Sequence, residues 1–196
     1  MEREPLTRDR VVAVALRLLD EDGLEKLTLR RIATALEVRA PALYWHVANK
    51  RALLDYLTDA MLARSVAALR PPTADEPWPE WLHRAAAALR RCLLRHRDGA
   101  RVASGADLTR AVALAEWLKR TVNVLCDAGF DRHDALVAGG ALMSLVIGRT
   151  AEEQALPAGG MIETGRRQSA DARARQAVGI MITGLRTILH ESGSAR

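Results

Sequence analysis

The chain has 196 residues, enough for one substantial core or for a small domain joined to a larger one. Hydrophobic residues make up 49 % and aromatics only 4 %, with Ala, Leu, Arg and Glu abundant and no strand-like alternation, so the composition favours an all-helical fold. The formal net charge is +5, yet residues 1–60 hold ten Lys or Arg against ten Asp or Glu, so any basic surface there has to be local.

Val12, Ala15, Leu16 and Leu19 share one face and predict a first helix from about Thr7 to Asp22, stopped by Gly23. Thr28 is a helix N-cap, and Leu29, Ile32, Ala33 and Leu36 form the apolar stripe of a second helix. Glu37, Val38 and Arg39 break that run as a three-residue turn. Pro41 restarts it at the first helical position, where a missing N–H costs nothing. Leu43 and Val47 point inward, leaving Ala40, Ala42, Tyr44, Trp45 and His46 around the outside of a helix only about two turns long. Three rings on so short a helix make a poor core and suit a groove, where they reach phosphates, sugars and base edges.

The pattern is a helix-turn-helix whose second helix reads DNA. Between Lys26 and Arg51 stand Lys26, Arg30, Arg31, Arg39, Lys50 and Arg51 against Glu37 alone, a local basic patch of the kind phosphate contact requires. The plainer reading of any single arginine here is a solvated helix face. Patch, turn and rings together favour DNA, and the candidate contacts are Thr28, Arg30, Arg39, Ala40, Pro41, Ala42, Tyr44, Trp45, His46 and Lys50.

Asn49 caps a fourth helix, about 50–69, whose Leu53, Leu54, Leu57, Met61 and Leu62 face one side. At ~1.5 Å per residue it carries a displacement some thirty ångströms from the reading head. Pro71, Pro72 and Pro77 mark a linker over 71–79, and further helices are predicted at roughly 78–96, 98–105, 109–128, 132–153 and 168–192. These divide the chain into a DNA-binding domain at 1–50 and a ligand-binding and dimerisation domain at 51–196. Residues 154–167 read as a mobile loop near a ligand entrance, because Pro157, Gly159, Gly160 and Gly165 oppose a continuous helix. No strand precedes these glycines and no Gly-Lys-Ser/Thr follows, which excludes a phosphate loop.

The strings LTLRRIATALEV and PALYWHVANKRALLD resemble the DNA-binding domain of the tetracycline repressor (TetR) family, and RCLLRHRDGARV at 91–102 and CDAGF at 126–130 resemble members of the same family. The resemblance covers most of the chain. It implies an all-helical, homodimeric repressor that leaves its operator when a small molecule binds. Arg30, Pro41, Tyr44, Trp45, His46 and Lys50 match the family's reading head. Ala40 and Ala42 stand where its tetracycline-responsive members place hydrogen-bonding side chains, so selectivity shifts toward Arg30, Arg39 and His46.

Those members hold a magnesium-chelated drug with polar and metal-binding side chains, and the corresponding positions here read Val66, Ala85, Leu89, Ala103, Ala106 and Thr121. Only Glu152 keeps an acidic group, without the histidine partner that a metal would want. The resemblance thus implies a cavity lined also by Trp81, Trp117 and Met143, and a hydrophobic effector other than tetracycline, with no metal and no cofactor. Each lining residue taken singly reads more readily as core than as a ligand contact.

Small residues recur on the last two long helices, Ala138, Gly139, Ala141 and Gly148 in one and Ala174, Ala177, Gly179 and Gly184 in the other. Glycine costs a helix about 1 kcal/mol relative to alanine, so its repetition points to close helix approach. With Leu142, Leu145, Val178, Met181, Ile182, Leu185 and Ile188 they predict a four-helix interface between two chains, against the alternative of an ordinary intrachain core.

Other classes are disfavoured. Cys92 and Cys126 lie far apart in helical patterns, without metal spacing, and suit a reduced cytoplasmic protein. No stretch approaches ~20 uncharged apolar residues, and the amino terminus lacks an apolar leader, so no membrane partner is expected. His83, His96, His133 and His190 lack productive partners, there is no serine elbow, and HRDG at 96–99 lacks every other kinase element, so the chain is not read as an enzyme. The rival reading is a DNA-binding helical regulator that has no small-molecule effector.

Overall fold

The computed structural model describes residues 5–156 and 169–194, with side chains described as far as Leu189. Nine α-helices follow one another among the described residues: α1 (Arg8–Asp22), α2 (Leu29–Ala35), α3 (Ala40–Tyr44), α4 (Lys50–Ala67), α5 (Trp78–Leu94), α6 (Gly99–Ala103), α7 (Val112–Asp127), α8 (Arg132–Ala155) and α9 (Ala170–Ser194). The all-α expectation is met, with one additional 3-10 turn at Leu24–Lys26.

Local chemistry sets the helix starts. Thr7, Thr28, Asn49 and Asp131 are extended residues whose side chains accept hydrogen bonds from amides two or three positions on, satisfying donors that a first turn leaves open. Gly23 ends α1 at φ 84°, a conformation without penalty for a residue lacking Cβ. The turn after α2 places Glu37 at φ 55°, and the Val38 amide donates back to the Ala33 carbonyl at 3.0 Å, closing the helix end. Helix α3 begins one residue earlier than expected, at Ala40, so Pro41 occupies its second position, where its N–H is still not needed. The helix also ends sooner: Trp45 is its C-cap, and His46 follows in a turn.

Two cores form. The first gathers Val11, Ala15, Leu19, Leu27, Ile32, Leu43, Val47, Leu53 and Leu57 from α1 to α4, and takes in Val102 of α6. The second gathers Leu62, Val66, Trp81, Leu82, Leu89, Leu93, Leu114, Trp117, Leu125, Leu142 and Val178 from α4, α5, α7, α8 and α9. Helix α4 therefore belongs to both. Packing changes near Met61 and Leu62 instead of at residue 50, because successive turns of one continuous helix face two interiors. Pro77 is the N-cap of α5 and Trp78 its first residue, so the linker is shorter than 71–79. Cys92 is buried, Cys126 is half-buried, and both are free.

Helix α8 packs against α5, α6, α7 and α9. By length and composition it would also suffice to cross a membrane, a possibility hidden in the sequence by the charges at its two ends. Its buried side, with Ala135, Ala138, Gly139, Leu142 and Val146, faces its own chain. A Cβ at Gly139 would stand 3.0 Å from Leu118 Cδ1 and 3.3 Å from Val122 Cγ2. So Ala138, Gly139 and Leu142 serve the intrachain core, as do Val178, Ile182 and Leu185 of α9, and they leave the set expected at a partner interface. What faces outward is a different stripe: Val137, Ala141, Ser144 and Gly148 on α8, with Ile180, Gly184 and Ile188 on α9. Helical period explains the exchange, since residues i and i+4 share a face but neighbours do not. Residues 157–168, which hold most of the expected loop, lie outside the described residues; Gln154 and Ala155 continue α8.

Candidate nucleic-acid interface and ligand-binding domain

The reading head is built by burying Leu43 and Val47, which turns the remainder of α3 and its following turn outward. Trp45 is 89 % exposed and Tyr44 56 %, while His46 is half-buried. Pro41 is exposed. Ala42 is half-buried and Ala40 packs against the first core, so Ala40 sets the depth of the helix and offers little surface. Thr28 is exposed and accepts from the Arg31 amide at 3.2 Å, capping α2.

The basic patch is smaller than the sequence count. Arg31 is paired with Asp22 and also donates to the Lys26 carbonyl. Arg51 donates from Nε to Asp55 at 2.8 Å, from Nη1 to the Ser104 carbonyl at 3.0 Å and from Nη2 to that of Val102 at 3.1 Å, so it is a tie between domains. Lys26, Arg30, Arg39 and Lys50 are exposed and form no ion pair among the described residues. These four are the exposed cations left from the sequence patch.

Ties between the head and the helical domain are the part the sequence did not reveal. The fully buried Asp55 of α4 accepts from Arg51, from the Asp107 amide at 3.1 Å and from Arg110 Nε at 2.9 Å. Asp59, one turn later, accepts from the Ala113 amide at 2.6 Å and so caps α7. Asp98 adopts φ 56° before α6 and accepts from the Leu24 amide at 2.9 Å. Asp20 of α1 accepts from the Arg97 amide at 3.1 Å and meets His96 Nδ1 at 3.0 Å, and Arg101 pairs with Glu25. The HRDG string thus clasps α1, and the Asp98 side chain bonds the neighbouring domain and makes no capping hydrogen bond to its own helix. The only sequence signal was a polar run in an otherwise apolar stretch.

The expected ligand residues fall into two groups. Val66, Trp81, Ala85, Leu89, Ala103, Trp117 and Thr121 are buried in the second core, with Ala106 and Met143 packed against it. Their polar atoms are used internally: Trp81 Nε1 donates to the Arg70 carbonyl at 2.9 Å, Trp117 Nε1 to that of Ala85 at 3.1 Å, and Thr121 Oγ1 to that of Trp117 at 2.9 Å. Glu152 stands apart, exposed on the outer side of α8 and paired with Arg149 at 2.7 Å, because residue 152 lies on the opposite side from the buried Val146 and Thr150. It does not join the others. Among the described residues no cluster of His, Cys, Asp or Glu could hold a metal ion.

A cleft of about 280 Å³ lies elsewhere, between α5, α8 and α9. Arg90, Arg91, Arg149 and Arg175 line it, together with His83, Asp171 and an apolar floor that includes Ala86, Val146 and Val178. At Arg90 burial opposes the charge, but pairing with Glu153 and Asp171 outweighs burial and raises its pKa. Burial, helped by the Arg175 charge and opposed by Glu80, lowers that of His83.

A helix-turn-helix with an exposed aromatic and basic reading face, clamped to a larger helical domain, defines a DNA-binding regulator. Comparison with known proteins makes the class specific. Residues 11–57 match the model for bacterial regulatory proteins of the tetR family, and residues 70–187 match the tetracyclin repressor-like C-terminal domain. The chain is 44 % identical over 151 residues to the tetracycline repressor protein class C of Escherichia coli, a match spanning 76 % of this chain and 67 % of that protein. Among solved structures it is similar to a TetR variant of Acinetobacter baumannii AYE in complex with minocycline, at 36 % identity and TM-score 0.79, covering 94 % of this chain and 99 % of that one. It is similar also to BioQ with its natural double-stranded DNA operator, at 31 % identity and TM-score 0.74, covering 92 % and 98 %. The chain belongs to the TetR family of transcriptional regulators, which are DNA-binding repressors and not enzymes.

Proposed function

We propose that this chain is a ligand-responsive repressor that binds a palindromic operator as a homodimer in the cytoplasm. The observation that carries the reading is the chain of contacts from Asp20, Asp55 and Asp98 across the two cores, which makes the position of the reading head depend on the packing of the helical domain. Two heads have to meet successive major grooves about 34–36 Å apart, and pairing of two copies through the outward stripe of α8 and α9 supplies a fixed spacing. Thr28, Arg30, Arg39, Tyr44, Trp45, His46 and Lys50 make the DNA contacts, with Pro41, Ala40 and Ala42 setting the approach of the helix. An effector acts by binding one spacing of the heads more tightly than the other.

The effector is small and mostly apolar, and it is not tetracycline, since Val66, Ala85, Leu89, Ala103, Ala106 and Thr121 offer neither metal ligands nor a polar frame. Free Cys92 and Cys126 agree with a reducing compartment. One observation favours the rival, a regulator without effector: Trp81 and Trp117 occupy the second core with their ring nitrogens already bonded. Gel-shift of DNA upstream of the chain's own gene at moderate salt tests the repressor reading, and loss of all binding there defeats it. Thermal-shift screening against lipophilic compounds separates the two readings, because a ligand of the folded state raises its stability.

A further inference from the structure

The cleft between α5, α8 and α9 brings four guanidiniums to an apolar floor. Its volume of about 280 Å³ is close to the lower end of spaces that hold small molecules, roughly 300 Å³. Arg90 is its pivot. This side chain is only 11 % exposed, and it grips Glu153 in a two-pronged pair, Nε at 3.0 Å and Nη2 at 2.8 Å, while Nη1 meets Asp171.

The two carboxylates differ in kind. Glu153 is largely packed, but Asp171 is 83 % exposed and remains in water while it pairs. An exposed pair of this sort contributes little, whereas a desolvated guanidinium fork gains from an anion placed squarely against it. Arg175 and Arg149 are likewise answered by exposed acids, Glu80 and Glu152, and Arg91 has no ion pair among the described residues. The walls thus hold positive charge that exchangeable surface carboxylates satisfy loosely. His83 also lines the cleft, and burial lowers its pKa, so the positive charge of the walls comes from the arginines.

We propose that this cleft binds a small amphipathic carboxylate, whose acid group replaces Asp171 on Arg90 Nη1 and whose apolar body lies over Ala86, Val146 and Val178. The proposal rests on the ligand-responsive reading above and narrows its effector from apolar to apolar with one anionic head. A carboxylate on an apolar body is favoured over bare phosphate because the floor of Ala86, Val146 and Val178 is apolar, and only the Arg90 edge held by the exposed Asp171 is open to exchange.

The test uses the full chain and calorimetric titration with 2-naphthoate, its uncharged amide 2-naphthamide, and inorganic phosphate. The site requires saturable naphthoate binding, one per chain, with the amide at least about tenfold weaker and phosphate silent. Substituting Arg90 would strand Glu153, so the informative variants are exposed ones. Asp171→Asn removes the competitor and should tighten naphthoate about threefold; Arg175→Gln should weaken it about threefold. Equal binding of acid and amide, tight phosphate binding, no naphthoate binding, or an Asp171→Asn variant with unchanged affinity overturns the proposal. Operator binding is measured separately. Naphthoate bound without DNA release keeps the site and defeats ligand gating, while intact DNA binding without naphthoate binding defeats the site and keeps the repressor.

Discussion

Gly99→Ala is the substitution whose consequence can be worked furthest. Gly99 is buried at the start of α6, and a Cβ built there would lie 2.3 Å from the Leu93 carbonyl oxygen and 3.1 Å from its carbon. Real Cβ atoms essentially never come within 3.0 Å of such neighbours, so α6 or the end of α5 has to yield by at least 0.7 Å. Neither is free to do so. Gln154 staples both, donating from Nε2 to the carbonyls of Leu93 at 3.2 Å and His96 at 2.8 Å, while its Oε1 accepts from the Ala100 amide at 3.0 Å. Overpacking costs about 1–3 kcal/mol and one strained hydrogen bond about 1 kcal/mol more, giving about 3 kcal/mol in all. For a chain of this size that lowers Tm by about 6–12 °C. Thermal unfolding followed by circular dichroism, at one fixed protein concentration, reads it. Gly105→Ala is the control: Gly105 has φ 68° with open space around it, so only backbone strain of about 1–2 kcal/mol should appear. A Gly99→Ala chain melting within 2 °C of the parent would refute the steric argument.

Three further outcomes are expected. A Cβ at Gly148 would meet nothing within 4 Å beyond its own helix, so Gly148→Leu should keep its helix content yet sediment as a monomer at low micromolar concentration, whereas Gly139→Leu should unfold the chain against Leu118 and Val122; an intact Gly148→Leu dimer would remove the outward stripe as the interface. In the reading head, Lys50→Ala should reduce the salt slope of operator binding by about 0.9, and Arg39→Ala should cost about 1–3 kcal/mol and relax selectivity at one base pair. Titration of both variants against matched and mismatched operators checks this, and unchanged affinity in both would displace the DNA surface from α3. The lowered His83 pKa means that unfolding takes up protons on acidification, so the stability from this group is complete above its ordinary value of 6.5 and declines as pH falls below it. The fall in Tm between pH 7.5 and pH 5.5 should then be smaller for His83→Gln than for the parent, and an equal fall would show that the group is not buried.

The reading head was largely legible because its signals are local. Thr28 as a cap, the apolar spacing of Ile32 and Ala33, and the inward Leu43 and Val47 require only helix geometry, and all three features stand in the structure. The basic patch was overcounted for the opposite reason. Arg31 is spent on Asp22 and Arg51 on Asp55, and Arg51 also holds the carbonyls of Val102 and Ser104, partners fifty-one and fifty-three residues away that no window of sequence displays. The small-residue stripe failed in part in the same way, since glycine marks close approach without saying to which neighbour, and Gly139 serves α7. The HRDG clasp on α1 was invisible in the sequence, because it depends on the end of α1 arriving beside it.

Sequence alone determined the helical class, the capped starts of α1, α2 and α4, and the outward turn of Tyr44 and Trp45, because capping, period and ring burial act over a few residues. Tertiary structure decided which cations stay available, which face of α8 and α9 is left uncovered, and that the charged cleft opens beside α5 while the tryptophans close the centre. Those outcomes turn on pairs far apart in the chain. Coulomb energy, desolvation and packing depend on distance in space, and folding alone sets that distance.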